Sequence, residues 1–346
     1  MQRIMKYSRK SLDKAGKALL DPFSRGEVID KVSDWRMTHI PVLREFVEEL
    51  TEHLNSNGIS YAFYSQRVKR MTSIIDKLRN NPTMGLGGLQ DIGGTRFVFD
   101  TIEGVELCKN TLLDFVPAHF TLVKTTDYIA TPKPSGYRSV HYIYQYSSTD
   151  EDFDGLKIEL QIRTRLEHSW AMAVETASLI SRTSLKANIE DGSIWRDFFK
   201  LVSAIFAQRE KKAVAEEFKD YTHEMYCRKY LEYTDKHRLL DQLSALRVTV
   251  NADKFLDTAN NGYCVLSINF KERTVSFRTY LSEEESKATN IFAQLEQTID
   301  SDEAVLLVSL AKMQEIREAY PSYFLDTNEF LSALSDFNTS CLVFRK

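Results

Sequence analysis

The sequence predicts an α+β protein with more than one domain, and three observations carry that expectation. Its 346 residues exceed what one hydrophobic core usually serves. Short segments of period two lie among longer ones with apolar residues three to four apart. Near Arg247 the texture changes: a long, charged, helical stretch gives way to short strand-like runs.

From the N-terminus onward, Val28, Ile29, Val32 and Trp35, then Val42, Leu43, Phe46, Val47 and Leu50, have helical spacing over 27–54, and Asn55 to Gly58 ends the run. Ile59 to Tyr64 alternates as a strand, and Val68 to Leu78 returns to the helical period. Residues 80–90 form a Gly/Pro-containing loop. Three strands are expected at Thr95 to Phe99, Tyr142 to Tyr146 and Leu156 to Arg163. In the last, period two puts Lys157, Glu159, Gln161 and Arg163 on one face. Leu166 to Leu179 reads as a helix, and 185–246 as largely helical. Beyond it, RVTV (247–250), YCVLSINF (263–270), TVSFRTYL (274–281) and AVLLVSL (304–310) read as strands. Ser282 to Ile299 reads as a helix with a serine cap and three early glutamates. The expected organisation is a domain over 1–184, a helical linker over 185–246 and a small α+β domain over 247–346.

Composition narrows the function. No stretch approaches the ~20 apolar residues of a membrane helix, and the N-terminus lacks a signal-like apolar region, so the cytosol is expected. The four cysteines include no CxxC pair, which argues against a zinc site or disulfide framework. A net charge of −4 restricts nucleic-acid binding to a local patch. Residues 1–20 provide one, with Arg3, Lys6, Arg9, Lys10, Lys14 and Lys17 against Asp13. A solvated helix face and a nucleic-acid contact both fit it.

Four segments can carry chemistry. Arg67, Lys69 and Lys77, spaced to share a helix face, suit a polyphosphate. Asp91 precedes a hydrophobic strand in DIGGTRFVF, where Gly93–Gly94 permits close backbone approach and Arg96 demands a charged partner. DYIATPKPSGYRSVH gathers Tyr128, Lys133, Tyr137, Arg138 and His141 around a turn, a composition for base stacking and phosphate binding. KIELQIRT presents Glu159, Gln161 and Arg163, and is followed by His168, Trp170 and Glu175.

In this order and spacing the segments resemble the RelA/SpoT synthetase family over roughly residues 60–180. The motifs are R-x-K then K, D-x-x-G-x-R, D-Y-I-x-x-P-K-x-x-G-Y-x-S-x-H, and E-x-Q-I-R-T followed by H-x-W-A. The resemblance implies a mixed β-sheet flanked by helices, and transfer of the β,γ-pyrophosphate of ATP to a ribose 3′-hydroxyl with release of AMP. It implies Mg²⁺ held by Asp91 and Glu159, ATP bound by Arg67, Lys69 and Lys77, and an acceptor met by Lys133, Tyr137, His141, Gln161 and Arg163. Tyr137 would stack on the acceptor base, Glu159 would also activate the hydroxyl, and Arg96 would stand behind the site. Thr126 and Ser135 depart from the lysine and asparagine common in alarmone synthetases. No His-Asp dyad suggests a hydrolase half.

The N-terminal segments resemble toxic small synthetases of toxin–antitoxin systems, several of which modify the 3′-CCA end of tRNA and so stop translation. That gives Lys6, Arg9, Lys10, Lys14 and Lys17 a use as an acceptor-stem patch. GDP or GTP as acceptor, making this an alarmone synthetase, is the alternative; a catalytically inactive nucleotide-binding module is a second. The stretch EAYPSYFLDTNEF resembles CapRel-type fused toxin–antitoxin proteins. That resemblance implies a pseudo-zinc-finger domain whose Tyr320 and Tyr323 plug the ATP site until a phage capsid protein releases it.

Overall fold

The computed structural model describes residues 7–21, 23–184, 191–244, 260–269, 274–298, 303–312 and 327–345. The helices are α1 (Arg9–Leu20), α2 (Arg25–Met37), α3 (His39–Ser56), α4 (Met71–Asn80), α5 (Ile102–Thr111), α6 (Arg165–Ser184), α7 (Asp191–Arg209), α8 (His223–Leu231), α9 (Leu239–Ser244), α10 (Glu285–Thr298), α11 (Asn328–Ala333) and α12 (Ser335–Cys341). The strands are β1 (Phe63–Val68), β2 (Gly93–Phe99), β3 (Phe120–Asp127), β4 (Val140–Tyr146), β5 (Lys157–Thr164), β6 (Asn260–Asn269), β7 (Thr274–Leu281) and β8 (Glu303–Lys312). All eight join one sheet in the order β3-β4-β5-β2-β1-β8-β6-β7. Only β2 and β5 run parallel; the other neighbours are antiparallel. The expected α+β architecture, a mixed sheet with flanking helices, is therefore present.

Period-two alternation divides the sheet's faces. Phe97, Phe99, Tyr142, Tyr144, Ile158, Leu160 and Ile162 face α3 and α5 and form the first core with Phe46, Leu50 and Val105. Phe46 is fully buried there, which stabilises the fold by about 2–3 kcal/mol relative to an exposed ring. The second core joins α1, α2 and α4 to β6, β8 and α10, through Leu19, Val32 and Ile74 against Tyr263, Val265, Leu307 and Phe292. The third packs α6 to α9 against α11 and α12, with Trp170, Phe198 and Tyr230 near Phe330 and Leu334. Residues 191–244 and 327–345 thus share a core, and β6 to β8 extend the sheet that also contains β1 and β2.

Several expectations shift locally. The helical run over 27–54 is two helices meeting at Thr38, and the strand expected at 59–64 begins at Phe63. Strand β3 was not legible, since most of its residues are exposed on an edge. Ser282 does not cap α10; it lies in a short 3-10 turn where Glu284 Oε2 accepts from the Leu281 amide at 3.1 Å. The segment RVTV, Lys6, Tyr320 and Tyr323 lie outside the described residues. The cysteines gave no expectation of a disulfide, yet Cys227 of α8 and Cys341 of α12 are joined, with their Cα atoms 4.9 Å apart. Their separation of 114 residues explains why no local spacing announced the bond. Among the described residues no group of three or more His, Cys, Asp or Glu can hold a metal ion, and no helix is long and apolar enough to cross a membrane.

His39, where α3 begins, carries a pH signature. Its ring is 2% exposed, with Nδ1 3.1 Å from the Trp35 carbonyl, and burial brings its pKa down from 6.5 to about 4. Between those values the unfolded chain takes up the proton and the folded chain does not. The stability conferred by neutral His39 is whole above pH 6.5 and is lost as pH falls toward 4, about 3 kcal/mol in all. Urea midpoints at pH 7 and 4.5 should differ less in His39→Gln than in the wild type; equal slopes would refute the assignment.

Candidate active site

Register across the central strands builds the site. Arg67 of β1 lies opposite Gly94 of β2, and Gly94 opposite Glu159 of β5. In the adjoining row Ser65, Arg96, Gln161 and His141 follow one another across β1, β2, β5 and β4. These residues share the face opposite the first core. Gly94 contributes no side chain between Arg67 and Glu159, which leaves room for a cleft of about 90 Å³ lined by Arg67, Lys69, Asp91, Arg96, Glu159 and Gln161. Asp91 precedes β2, so the turn into that strand delivers it to the end of the row.

The two carboxylates are held differently. Asp91 Oδ2 accepts from Lys69 Nζ at 2.9 Å and from Lys77 Nζ at 2.7 Å. Burial raises the Asp91 pKa, but the two ammonium groups outweigh it and hold the carboxyl below the usual range. Its other oxygen, Oδ1, is buried and accepts no hydrogen bond. Glu159 Oε1 is 2.9 Å from His141 Nδ1, and Oε2 accepts from Gln161 Nε2 at 2.7 Å. Burial pushes Glu159 up and nearby Asp91 adds to that, yet the contacts from His141 and Gln161 leave it lowered. With Glu159 ionised, His141 donates to it from Nδ1, and Nε2 on the other side of the ring is 2.8 Å from the Tyr137 hydroxyl.

A second cluster borders the first. Lys133 Nζ stands 4.2 Å from the Tyr128 ring centroid and 5.1 Å from that of Tyr137. Tyr128 lies edge-on to His141 at 5.3 Å. The loop carrying them docks on α7, where the Ser203 hydroxyl donates to the Gly136 carbonyl.

Most expected site residues therefore converge: Asp91, Glu159, Arg67, Lys69, Lys77, Gln161, His141, Tyr137 and Lys133. Three expectations change. Arg67, Lys69 and Lys77 do not share a helix face; Arg67 is on β1, Lys69 in the connection and Lys77 on α4. Arg96 does not stand behind the site but lines the cleft, with Nε 3.4 Å from Gln161 Oε1. Arg163 does not line it: α6 covers that end of the sheet, and the guanidinium, 1% exposed, meets His168 Nδ1 at 2.6 Å. Burial and the neighbouring charge of Arg96 push Arg163 down to about 9. Of the patch, Arg9, Lys10, Lys14 and Lys17 are exposed on α1. Arg36 and Glu296, which brace Lys69 and α4 from behind, carried no local signal.

A narrow cleft with two ionised carboxylates among lysines and arginines defines an enzyme that handles phosphate groups. Residues 66–180 match the family described as "Region found in RelA / SpoT proteins". GTP pyrophosphokinase YjbM of Bacillus subtilis is 33% identical over 149 residues, covering 40% of this chain and 69% of that protein. GTP pyrophosphokinase rsh of Brucella ovis is 30% identical over 166 residues, 46% of this chain, which spans only 20% of that longer relative. The crystal structure of small alarmone synthetase 2 from Bacillus subtilis is 24% identical, covers 53% of this chain and 95% of its own, and has a TM-score of 0.42. The chain belongs to the RelA/SpoT family and is an enzyme of the pyrophosphokinase class.

Proposed function

We propose that the chain transfers the β,γ-pyrophosphate of ATP to a ribose 3′-hydroxyl, and that its acceptor is the 3′-CCA end of tRNA. The observation that carries the transfer is the convergence of Asp91 and Glu159 on a cleft that also contains Arg67 and Lys69. The acceptor's 3′-oxygen attacks the β-phosphorus, the bond to the α–β bridging oxygen breaks, and AMP leaves. Arg67, Lys69 and Lys77 bind and neutralise the donor phosphates; Lys69 and Lys77 turn from Asp91 to do so. Glu159 takes the hydroxyl proton as general base. Lys133, Tyr128 and Tyr137 orient the acceptor base.

Mg²⁺ fits these residues. Such an ion is commonly held by one or two carboxylates plus substrate phosphates, and Asp91 Oδ1 is a buried oxygen without a partner. Asp91 and Glu159 would hold it, and when bound it would neutralise charge on the transferring phosphates.

The tRNA reading is supported by the exposed stripe Arg9, Lys10, Lys14 and Lys17 on α1. That helix packs on the loop leading to Asp91, where Asp13 Oδ1 accepts from the Gly87 amide at 2.9 Å. Acceptor-stem phosphates can follow the stripe toward the cleft. The second reading, GDP or GTP as acceptor, is favoured by the names of the Bacillus and Brucella relatives. We further propose that residues 247–346 regulate the enzyme: Tyr320 and Tyr323 restrain it, a phage capsid protein relieves the restraint, and the released activity stops translation as antiphage defence. The cytoplasm is where such an enzyme would meet its substrates.

The test uses the full chain, both unaltered and with Tyr320→Ala plus Tyr323→Ala to lift the restraint, with ATP radiolabelled on its γ-phosphate and offered deacylated tRNA, GDP and GTP. Label on the tRNA 3′ end is expected; label only in guanosine nucleotides installs the second reading, and no AMP with any acceptor overturns the transfer. Tyr320→Ala with Tyr323→Ala should raise the rate about tenfold or more, and an unchanged rate would dismiss their restraining role.

A further inference from the structure

Arg36 is completely buried in α2, at the edge of the second core. Its Nε donates to the Lys69 carbonyl at 2.9 Å. Its Nη1 and Nη2 both reach Glu296 of α10, the latter at 3.2 Å. The Phe292 ring lies 5.5 Å from the guanidinium carbon. Glu296 Oε1 also accepts from the Met71 amide at 3.0 Å. Met71 is the first residue of α4, and Arg70 before it supplies no capping side chain. One carboxylate from the C-terminal region thus satisfies an orphan donor of the helix that carries Lys77, and places negative charge at its positive end. Through Arg36 it also fixes the backbone of Lys69, whose amide is tied on the other side to the Ile92 carbonyl at 2.7 Å.

We propose that Arg36 and Glu296 are a positioning pair for Lys69 and Lys77, through which the C-terminal region sets the affinity of the cleft for a nucleoside triphosphate. The inference rests on the reading of those lysines as donor-phosphate ligands. A guanidinium sealed in an apolar core needs its counter-charge. Movement of α10 away from α2 removes that charge, frees the Lys69 carbonyl and uncaps α4 in one event. The two lysines, brought together at Asp91 by separate elements, then lose their common frame. A rearrangement of the C-terminal region therefore reaches the cleft without any part of it entering the cleft.

The experiment compares full-length variants for affinity to the Mg²⁺ complex of a non-hydrolysable ATP analogue, thermal midpoint, and hydrogen exchange of amides 69–75. Arg36→Met with Glu296→Met removes both charges while keeping apolar bulk, so the fold should persist. It should bind the analogue about tenfold more weakly with faster exchange over 69–75, because small displacements of positioning groups carry large costs. Glu296→Gln, which keeps the shape, should weaken binding about threefold and decides the matter if the double variant does not fold. Wild-type affinity in the folded double variant, or in Glu296→Gln should the double variant fail to fold, overturns the proposal. Lys77→Met separates the two readings: unchanged affinity there removes the donor-site assignment itself, whereas weakened binding there with an unaltered double variant removes only the positioning pair.

Discussion

Asp91→Asn should reduce pyrophosphate transfer by about a thousandfold or more while leaving a folded protein. The substitution keeps the shape and removes the charge that two ammonium groups share. Lys69 and Lys77 are partly exposed, so losing their partner should cost the fold only about 1 kcal/mol. The same two lysines, no longer neutralised, become better ligands for phosphate. ATP without Mg²⁺ should therefore bind Asp91→Asn at least as tightly as the wild type, although turnover disappears. Single-turnover release of AMP and calorimetric binding separate the two effects. Transfer within tenfold of the wild-type rate would remove Asp91 from the reacting centre.

Gly136→Ala should act on the acceptor side alone. Gly136 has φ +87°, and a Cβ there would lie 3.0 Å from Ser203 Cβ and 3.2 Å from the Lys200 Cα in α7. Its amide donates to the Lys133 carbonyl at 2.8 Å, closing the turn that presents Lys133 and Tyr137. A methyl group meets both a disfavoured backbone conformation and an adjacent helix, so the loop should lift from α7 at a cost of about 2 kcal/mol. The acceptor KM should rise about tenfold while the ATP KM holds, because β1 and α4 lie on the other side of the cleft. A rise in the ATP KM with an unchanged acceptor KM would show that the loop serves the donor instead.

Legibility in the sequence followed the range of the signal. Strand β5 alternates apolar and polar residues with period two, and its polar face names Glu159 and Gln161, whereas His141 is legible from the turn motif that leads into β4. Strand β3 escaped because FTLVKTTD exposes most of its residues at a sheet edge and shifts register between Leu122 and Lys124, so no alternation survives. Arg163 has the same periodicity as Glu159, yet α6 lies over it; periodicity assigns a face but not what covers that face. Arg36 and Glu296 are separated by 260 residues, and Cys227 and Cys341 by 114, so only the folded chain brings them together. Asp91 was legible for the opposite reason, sitting within a short motif whose glycines and strand are contiguous with it.

Strand β1 is enclosed on both sides, with Arg67 registered against Gly94 of β2 and Val308 of β8. Severing the chain between 245 and 259 and losing its C-terminal part would bare one margin of that strand, together with the apolar surface of Val32 and Ile74. An open margin of unpaired amides and carbonyls is a template for aggregation. Proteolytic clipping would therefore yield a sticky, short-lived remnant, so the release proposed above would have to leave every strand in place.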